Sequence, residues 1–330
     1  MRANGGARRL HLSFPRPLVR AAFFIPAVLL LLFLVILPIL QTIFLSFYSD
    51  GAFVGVDNYS DVVSDPATIN LRGFPRGPPL GTLVHNLIWT AIHLPMSLFT
   101  GLFLAVLLQR VRGASIVKSM IFVGMVTPMI LGGVILRFLF EAPIGLVPSA
   151  FGALGFESLN VNWIVHPSTL LFGLIFGSVW LWTGFSLILY SAGLTTIPKD
   201  YFEAARVDGA SPWRIFRRIT WPLLRPITLV VVTMTVLWEL KLFDLVLGAT
   251  NAGGGVGSAA DVLALQMYRY GFVALPPRVH QAAAVATLLT GLTLAWTVMM
   301  FRHILLGARF SRGKRSGRLA RRLAGRAGRA

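Results

Sequence analysis

Two groups of residues have the types and spacing to act on something. The first is the stretch 203–222, EAARVDGASPWRIFRRITWP, which is polar and basic between two long apolar runs. Pro198 can open a helix, with Asp200 and Glu203 near its positive N-terminal end. Ala204 and Ala205 are small enough for that helix to lie against a partner. Gly209 suits the backbone reversal that ends it. Ser211-Pro212 restarts a helix, with Ser as N-cap and Pro at the first position. In that second helix Ile215, Phe216 and Ile219 share a face, while Arg214, Arg217 and Arg218 lie largely off it. Pro222 and Pro226 are expected to punctuate the return to the apolar run.

The second group starts at Trp238 and includes Glu239, Lys241, Phe243 and Asp244 inside an apolar run. A charge at the centre of a membrane span costs roughly 2.5–3.5 kcal/mol and is functional by default. Glu239 lies about 20 Å along a span that starts at Pro226, just beyond the midplane. Lys241 and Asp244 are three apart and can pair on one face. Glu239 either lines a cavity or partners another helix; its spacing of two from Lys241 makes direct pairing with that residue poor, which favours the cavity. No Ser/His/Asp set, paired-carboxylate site or metal cluster emerges. The absence of cysteine excludes disulfides, thiol catalysis and cysteine metal sites.

These stretches are positioned by membrane spans. Of 330 residues, 55% are hydrophobic and 13% charged, and mean hydropathy is +0.74. A soluble domain could not hide that much apolar surface, so the fold class is an all-α polytopic membrane bundle. Six apolar runs, near 21–47, 82–108, 117–140, 168–190, 226–247 and 280–305, are each long enough for a hydrocarbon core of about 30 Å. The first run is too long for a signal-peptide core and lacks a clear cleavage site. The chain therefore divides into a basic segment 1–20, a transmembrane domain 21–305 with a long loop 191–225, and a basic tail 306–330.

Lys and Arg set the orientation. Of 30, all but Arg72, Arg76, Arg137, Lys241, Arg269 and Arg278 fall on one side of a six-span arrangement. That side holds both termini and the 191–225 loop, and the positive-inside rule makes it cytoplasmic. The tail, rich in Arg with Gly and Ala, is expected to be mobile and to lean on anionic membrane lipids. With no aromatic beyond Phe310 it does not suit nucleic acid. Its Gly307–Lys314 stretch differs from a phosphate loop in spacing and in the residue after the lysine.

The pattern E-A-A, three residues, Gly, nine residues, I-x-x-P falls on Glu203, Ala204, Ala205, Gly209, Ile219 and Pro222. It resembles the cytoplasmic loop of binding-protein-dependent ABC importer permeases, with Trp221 where Leu usually stands. The resemblance implies that Glu203, Ala204, Ala205, Asp208, Gly209, Ile219 and Pro222 couple the chain to an ATPase. The stretch from Lys241 to Phe272 resembles the K-x-F-D, T-x-G-G, Y-x-x-x-F signature of the sugar-type subgroup, through Lys241, Phe243, Asp244, Thr250, Gly253, Gly254, Tyr268 and Phe272. Gly255 replaces the usual Pro. Phe53, Gly55, Asn58 and Tyr59 match that subgroup's F-x-G-x-x-N-Y element.

The resemblance implies a non-enzymatic transport subunit with no cofactor of its own. ATP and Mg would lie on two partner ATPase subunits. A second homologous permease and an extracytoplasmic solute-binding protein complete the assembly. Trp182, Trp238, Glu239, Phe243 and Asp244 become candidates for the substrate path. Trp180, Trp182 and Trp238 could instead be packing residues. His85, Asn86 and His93 read as helix–helix hydrogen bonders rather than metal ligands. The alternative function is an ion-coupled secondary transporter, which would be expected to show internal repeats and broken helices.

Overall fold

The structure, a computed structural model, describes residues 16–327 apart from 74–76, 78, 110, 252, 256 and 257. Most of the expected basic N-terminal segment, including Arg2, Arg8 and Arg9, lies outside the described residues, as does Arg329. The architecture is an all-helical bundle; among the described residues five helices are long and apolar enough to cross a membrane, or six if a bent pair counts as one span.

The first span comprises α1 (Arg16–Leu31), a wide π turn (Leu32–Ile36) and α2 (Leu37–Leu45). The Leu37 N–H reaches back to the Leu32 carbonyl. This extra residue in the turn precedes Pro38, whose ring and missing N–H disrupt an ordinary α ladder. The span Phe23–Leu45 is peripheral, with none of its residues buried in the chain. Next come a short hairpin, β1 (Tyr48–Ser49) and β2 (Ala52–Phe53), and α3 (Asp57–Ser64). Asn58 is buried and donates to the carbonyls of Ser46 and Tyr48, each at 2.9 Å, so this motif residue fixes the hairpin.

The centre of the bundle is α4 (Thr82–Leu107) against α8 (Pro167–Thr195). Between them the chain forms α5 (Ala114–Val126), α6 (Met129–Phe140) and the short α7 (Leu146–Ala153). α8 is apolar on nearly every side and is the most buried span, which explains its lack of an amphipathic pattern. Leu170, Leu174, Leu187 and Tyr190 along it are fully buried.

The expected straight span 117–140 is not one helix. α5 and α6 meet at 102°. Thr127 is extended at φ −64°, ψ 127°, because the following Pro128 disfavours helical geometry at that residue.

The expected fifth span 226–247 is also revised at both ends. After α9 (Lys199–Val207), helix runs from Pro212 to Leu240 as α10 (Pro212–Ile215), a π turn (Phe216–Thr220) and α11 (Trp221–Leu240). Pro222 and Pro226 lie within this helix and do not interrupt it. The π turn, closed by the Trp221 N–H on the Phe216 carbonyl, accommodates Pro222 as the first one accommodates Pro38. The helix stops at Leu240, because Lys241 and Phe243 leave helical geometry, and the chain restarts as α12 (Asp244–Thr250).

α12 packs on α6. Their backbones touch where Gly133 faces the Leu245 carbonyl and Gly248 faces the Ile130 carbonyl; a Cβ at either glycine would collide with that oxygen. α13 (Leu263–Tyr268) follows, and then α14 (Val279–Ala327). The tail expected to be mobile continues the helix of the last span to Ala327, consistent with its many Ala, Leu and Arg residues.

Gly248→Val should lower the thermal midpoint of the purified chain in detergent, by the equivalent of about 1–3 kcal/mol or more. Gly291→Ala, where the added methyl meets open space, should leave it unchanged or slightly raised. Equal midpoints for both variants would refute the close α6–α12 contact.

Candidate functional site

The loop that carries the first motif is built on the end of α8. Pro198 caps α9, and Asp200 lies in its first turn. The helix ends at Gly209, whose φ of +70° is left-handed and open to solvent. A valine there would be strained even though nothing crowds it. The Ala210 N–H closes the reversal on the Ala205 carbonyl at 2.9 Å. Ser211 caps the next helix, its Oγ accepting from the Arg214 N–H.

Phe202, Phe216 and Trp221 pack into the core cluster of Leu187, Tyr190 and Leu224. The opposite side is bare. Val207 is 88% exposed, Trp213 69% and Tyr201 52%. Glu203, Ala204, Asp208 and Gly209 are exposed, whereas Ala205, Ile219 and Pro222 are half-buried. The arrangement is an anchored hairpin of helices that presents apolar and charged groups together.

At the other candidate region, α4 presents a polar column to the broken ends of its neighbours. The Asn86 amide donates to the Glu239 carbonyl at 2.9 Å, and its oxygen accepts from the Leu263 N–H at 2.9 Å. One buried side chain thereby pairs an end of α11 with the start of α13. His85 accepts from the Leu80 N–H at Nε2 and donates from Nδ1 to the Asp261 carbonyl at 2.8 Å. These two residues hydrogen-bond between elements, as expected from sequence. No group of three metal-ligating side chains forms among the described residues.

Glu239 differs from its cavity-facing expectation. It is 2% exposed, and its Oε1 lies 2.7 Å from Nδ1 of His93, itself fully buried. The carboxylate is turned toward α4, away from open space. Trp182 and Trp238 do come together, with ring centroids 4.2 Å apart, and Phe185 adds an edge contact to Trp238 at 4.6 Å. Trp180 lies instead against Gly124 of α5. Phe243 packs edge-on to Tyr268 at 5.4 Å. Asp244 and Lys241 are both exposed, and among the described residues no ion pair joins them. The break at Leu242–Phe243 destroys the helical spacing that would have brought them together.

Sequence reasoning did not assign His93 to Glu239. The signal was present: Thr82, Asn86 and His93 recur at helical spacing within an apolar span, marking one polar face. It also missed the Asp261–Arg269 pair. Asp261 is 1% exposed, with Oδ2 2.7 Å from the Arg269 guanidinium, which also donates to Ser258 and Gly253. Burial pushes the Asp261 carboxyl up to about 6, against the opposing pull of Arg269 and of the Val262 N–H. Burial, and then the hydrogen bond to Asp65, push the neighbouring Tyr270 hydroxyl up to about 12.

With this geometry in place, comparison with known proteins identifies the lineage. Residues 97–310 match the family of binding-protein-dependent transport system inner membrane components. The chain belongs to that family. A probable ABC transporter permease of Pyrococcus horikoshii is 53% identical over 274 residues, covering 82% of this chain and 93% of the relative. An osmoprotective compounds uptake permease of Synechocystis is 36% identical, covering 74% and 86%. An alpha-glucoside transport permease of Rhizobium meliloti is 32% identical, covering 76% and 73%. A solved bacterial ABC transporter that imports alginate superposes with a TM-score of 0.70 at 19% identity, over 87% of this chain and 96% of that one, and so shares its fold.

The protein is therefore the permease component of an ABC importer, multi-pass in the inner membrane and not itself catalytic. Several further relatives are named for the transport of sugars or oligosaccharides.

The Asp261 carboxyl holds its proton to higher pH in the folded chain than in the unfolded one. Its contribution to stability is present below about pH 4 and lost as pH rises through about 6. Asp261→Asn should flatten the dependence of the thermal midpoint between pH 4 and 6, a window worth up to about 3 kcal/mol. An identical slope in the variant would show that another group titrates there.

Proposed function

We propose that this chain imports a sugar, or a related polyol or glycerol-phosphate compound, by alternating access driven from a coupling loop. The observation that carries the reading is the anchored, exposed helical hairpin over residues 199–222. Its inner aromatic face is tied to α8 and α11, so a push on its outer face moves two spans. The outer face suits a cleft on an ABC ATPase subunit, with Glu203, Ala204, Ala205, Asp208 and Gly209 at the contact and Ile219 and Pro222 joining it to the span.

The working assembly comprises this chain, a second homologous permease, two ATPase subunits that carry ATP and Mg, and an extracytoplasmic solute-binding protein. The solved alginate transporter, captured with a periplasmic binding protein, supports that composition. ATP closes the ATPases and draws the coupling loops together; the spans rock and open toward the binding protein; hydrolysis returns them. The charge bias of the loops supports cytoplasmic termini on either side of a 21–305 transmembrane domain.

The substrate path runs past Trp182 and Trp238, then Phe243 and Asp244 toward the outer side. Indole faces suit the apolar face of a sugar ring, and the named relatives support a carbohydrate-type solute. Glu239 stands behind this wall. The basic tail meets anionic lipid heads.

Gly209→Val and Glu203→Lys should leave the chain inserted while uncoupling uptake from ATP hydrolysis, read as solute uptake beside ATPase activity in vesicles of the whole complex. Normal uptake by both variants would sink the coupling assignment.

Ending the chain after Gly307 should preserve assembly and most transport and weaken only its association with anionic vesicles. Complete loss of ATPase association would make the tail a docking element instead.

A further inference from the structure

Glu239 is clamped at both ends. Its carbonyl accepts from Asn86, and its carboxylate meets His93, both on α4 and both buried. The same imidazole stands edge-on to Trp182, with centroids 6.2 Å apart and planes at 83°. Trp182 in turn packs tilted against Trp238, the residue next to Glu239. His93 thus touches both the charge and the aromatic wall beside it. The second carboxylate oxygen of Glu239 and the Thr90 hydroxyl are buried nearby without a partner among the described residues. Released from His93, a carboxylate whose second oxygen already lacks a well-formed bond would turn away from α4. Trp238, half-buried and next to it in the chain, marks the side of α11 it would turn toward.

We propose that His93 is a positioning residue: by engaging the Glu239 carboxylate it keeps that charge out of the solute path, leaving an uncharged aromatic wall suited to a neutral, hydroxyl-rich solute. This rests on the path proposed above. Within that reading it narrows the solute class, because a wall of Trp182, Trp238 and Phe185 offers stacking surface and an indole donor but no cation for a phosphate or carboxylate. It also explains an imidazole opposite the carboxylate. A hydrogen-bonded partner holds one rotamer, whereas an apolar neighbour would leave the carboxylate free to seek water.

The chain has no cysteine, so a single Phe185→Cys substitution reports on the wall. The test uses the complete importer in membranes, with labelling by a cationic and an anionic thiosulfonate reagent read on this chain by mass. With His93 present, the two reagents should label the introduced thiol at similar rates. With His93→Leu, the cation-to-anion ratio should rise about fivefold or more as Glu239 enters the path. His93→Asn, whose amide can still donate to Glu239, should restore the original ratio. The double change His93→Leu with Glu239→Leu should also restore it, and a raised ratio in the double variant would overturn the proposal. If the single leucine variant fails to assemble, His93→Phe, nearer to imidazole in volume and without a donor, takes its place: an unchanged ratio in that variant overturns the role of His93. An unchanged ratio in an assembled His93→Leu variant overturns the role of His93 and leaves the path standing. Failure of the introduced thiol to react with either reagent overturns the path itself, and the role of His93 with it.

Discussion

Hydrocarbon offers no hydrogen-bond partner, so every interruption of a helix in this bundle must be satisfied by the protein itself. The polar column of α4 does this for the most interrupted region. Asn86 serves the carbonyl at the end of α11 and the N–H at the start of α13, and His85 serves the Asp261 carbonyl. The segment from α12 to α13 leaves its helical path and returns because these side chains reach its unpaired backbone groups. Where no side chain is available, the chain uses a wide turn instead, as ahead of Pro38 and Pro222.

Packing adds a second constraint. α6 and α12 each follow a break, and each brings a glycine to the other's carbonyl row. Such close approach replaces the hydrophobic drive that lipid does not provide between spans. Broken helices would be expected of an ion-coupled transporter. Here they occur in an ABC importer permease, so the breaks report on backbone accommodation in a membrane and do not discriminate the energy source.

The helical hairpin over residues 199–222 obeys a different rule, because its outer face is uncovered. Its inner aromatics bury against α8 and α11, while Val207 and Trp213 stay uncovered. Apolar side chains so exposed beside charged ones form a surface that water tolerates poorly and a protein cleft would cover. A left-handed glycine, a serine cap and three anchored rings define its shape.

The sequence by itself determined the membrane class, the number of apolar runs, the charge bias and the loop with its helix, reversal and second helix. Those features are local: hydropathy over a span's length, a glycine at a reversal, a serine before a proline. Tertiary structure decided where the helices stop and what the charges face. The Thr127-Pro128 bend was written in the dipeptide, but a proline alone does not say whether a helix breaks, as Pro222 and Pro226 demonstrate by continuing theirs. Glu239 was legible as costly, and its partner was not, because His93 lies 146 residues away and spacing cannot give the rotation of one helix against another. That rotation follows from the fit of α4 against α8 and α11, a packing property of the whole bundle.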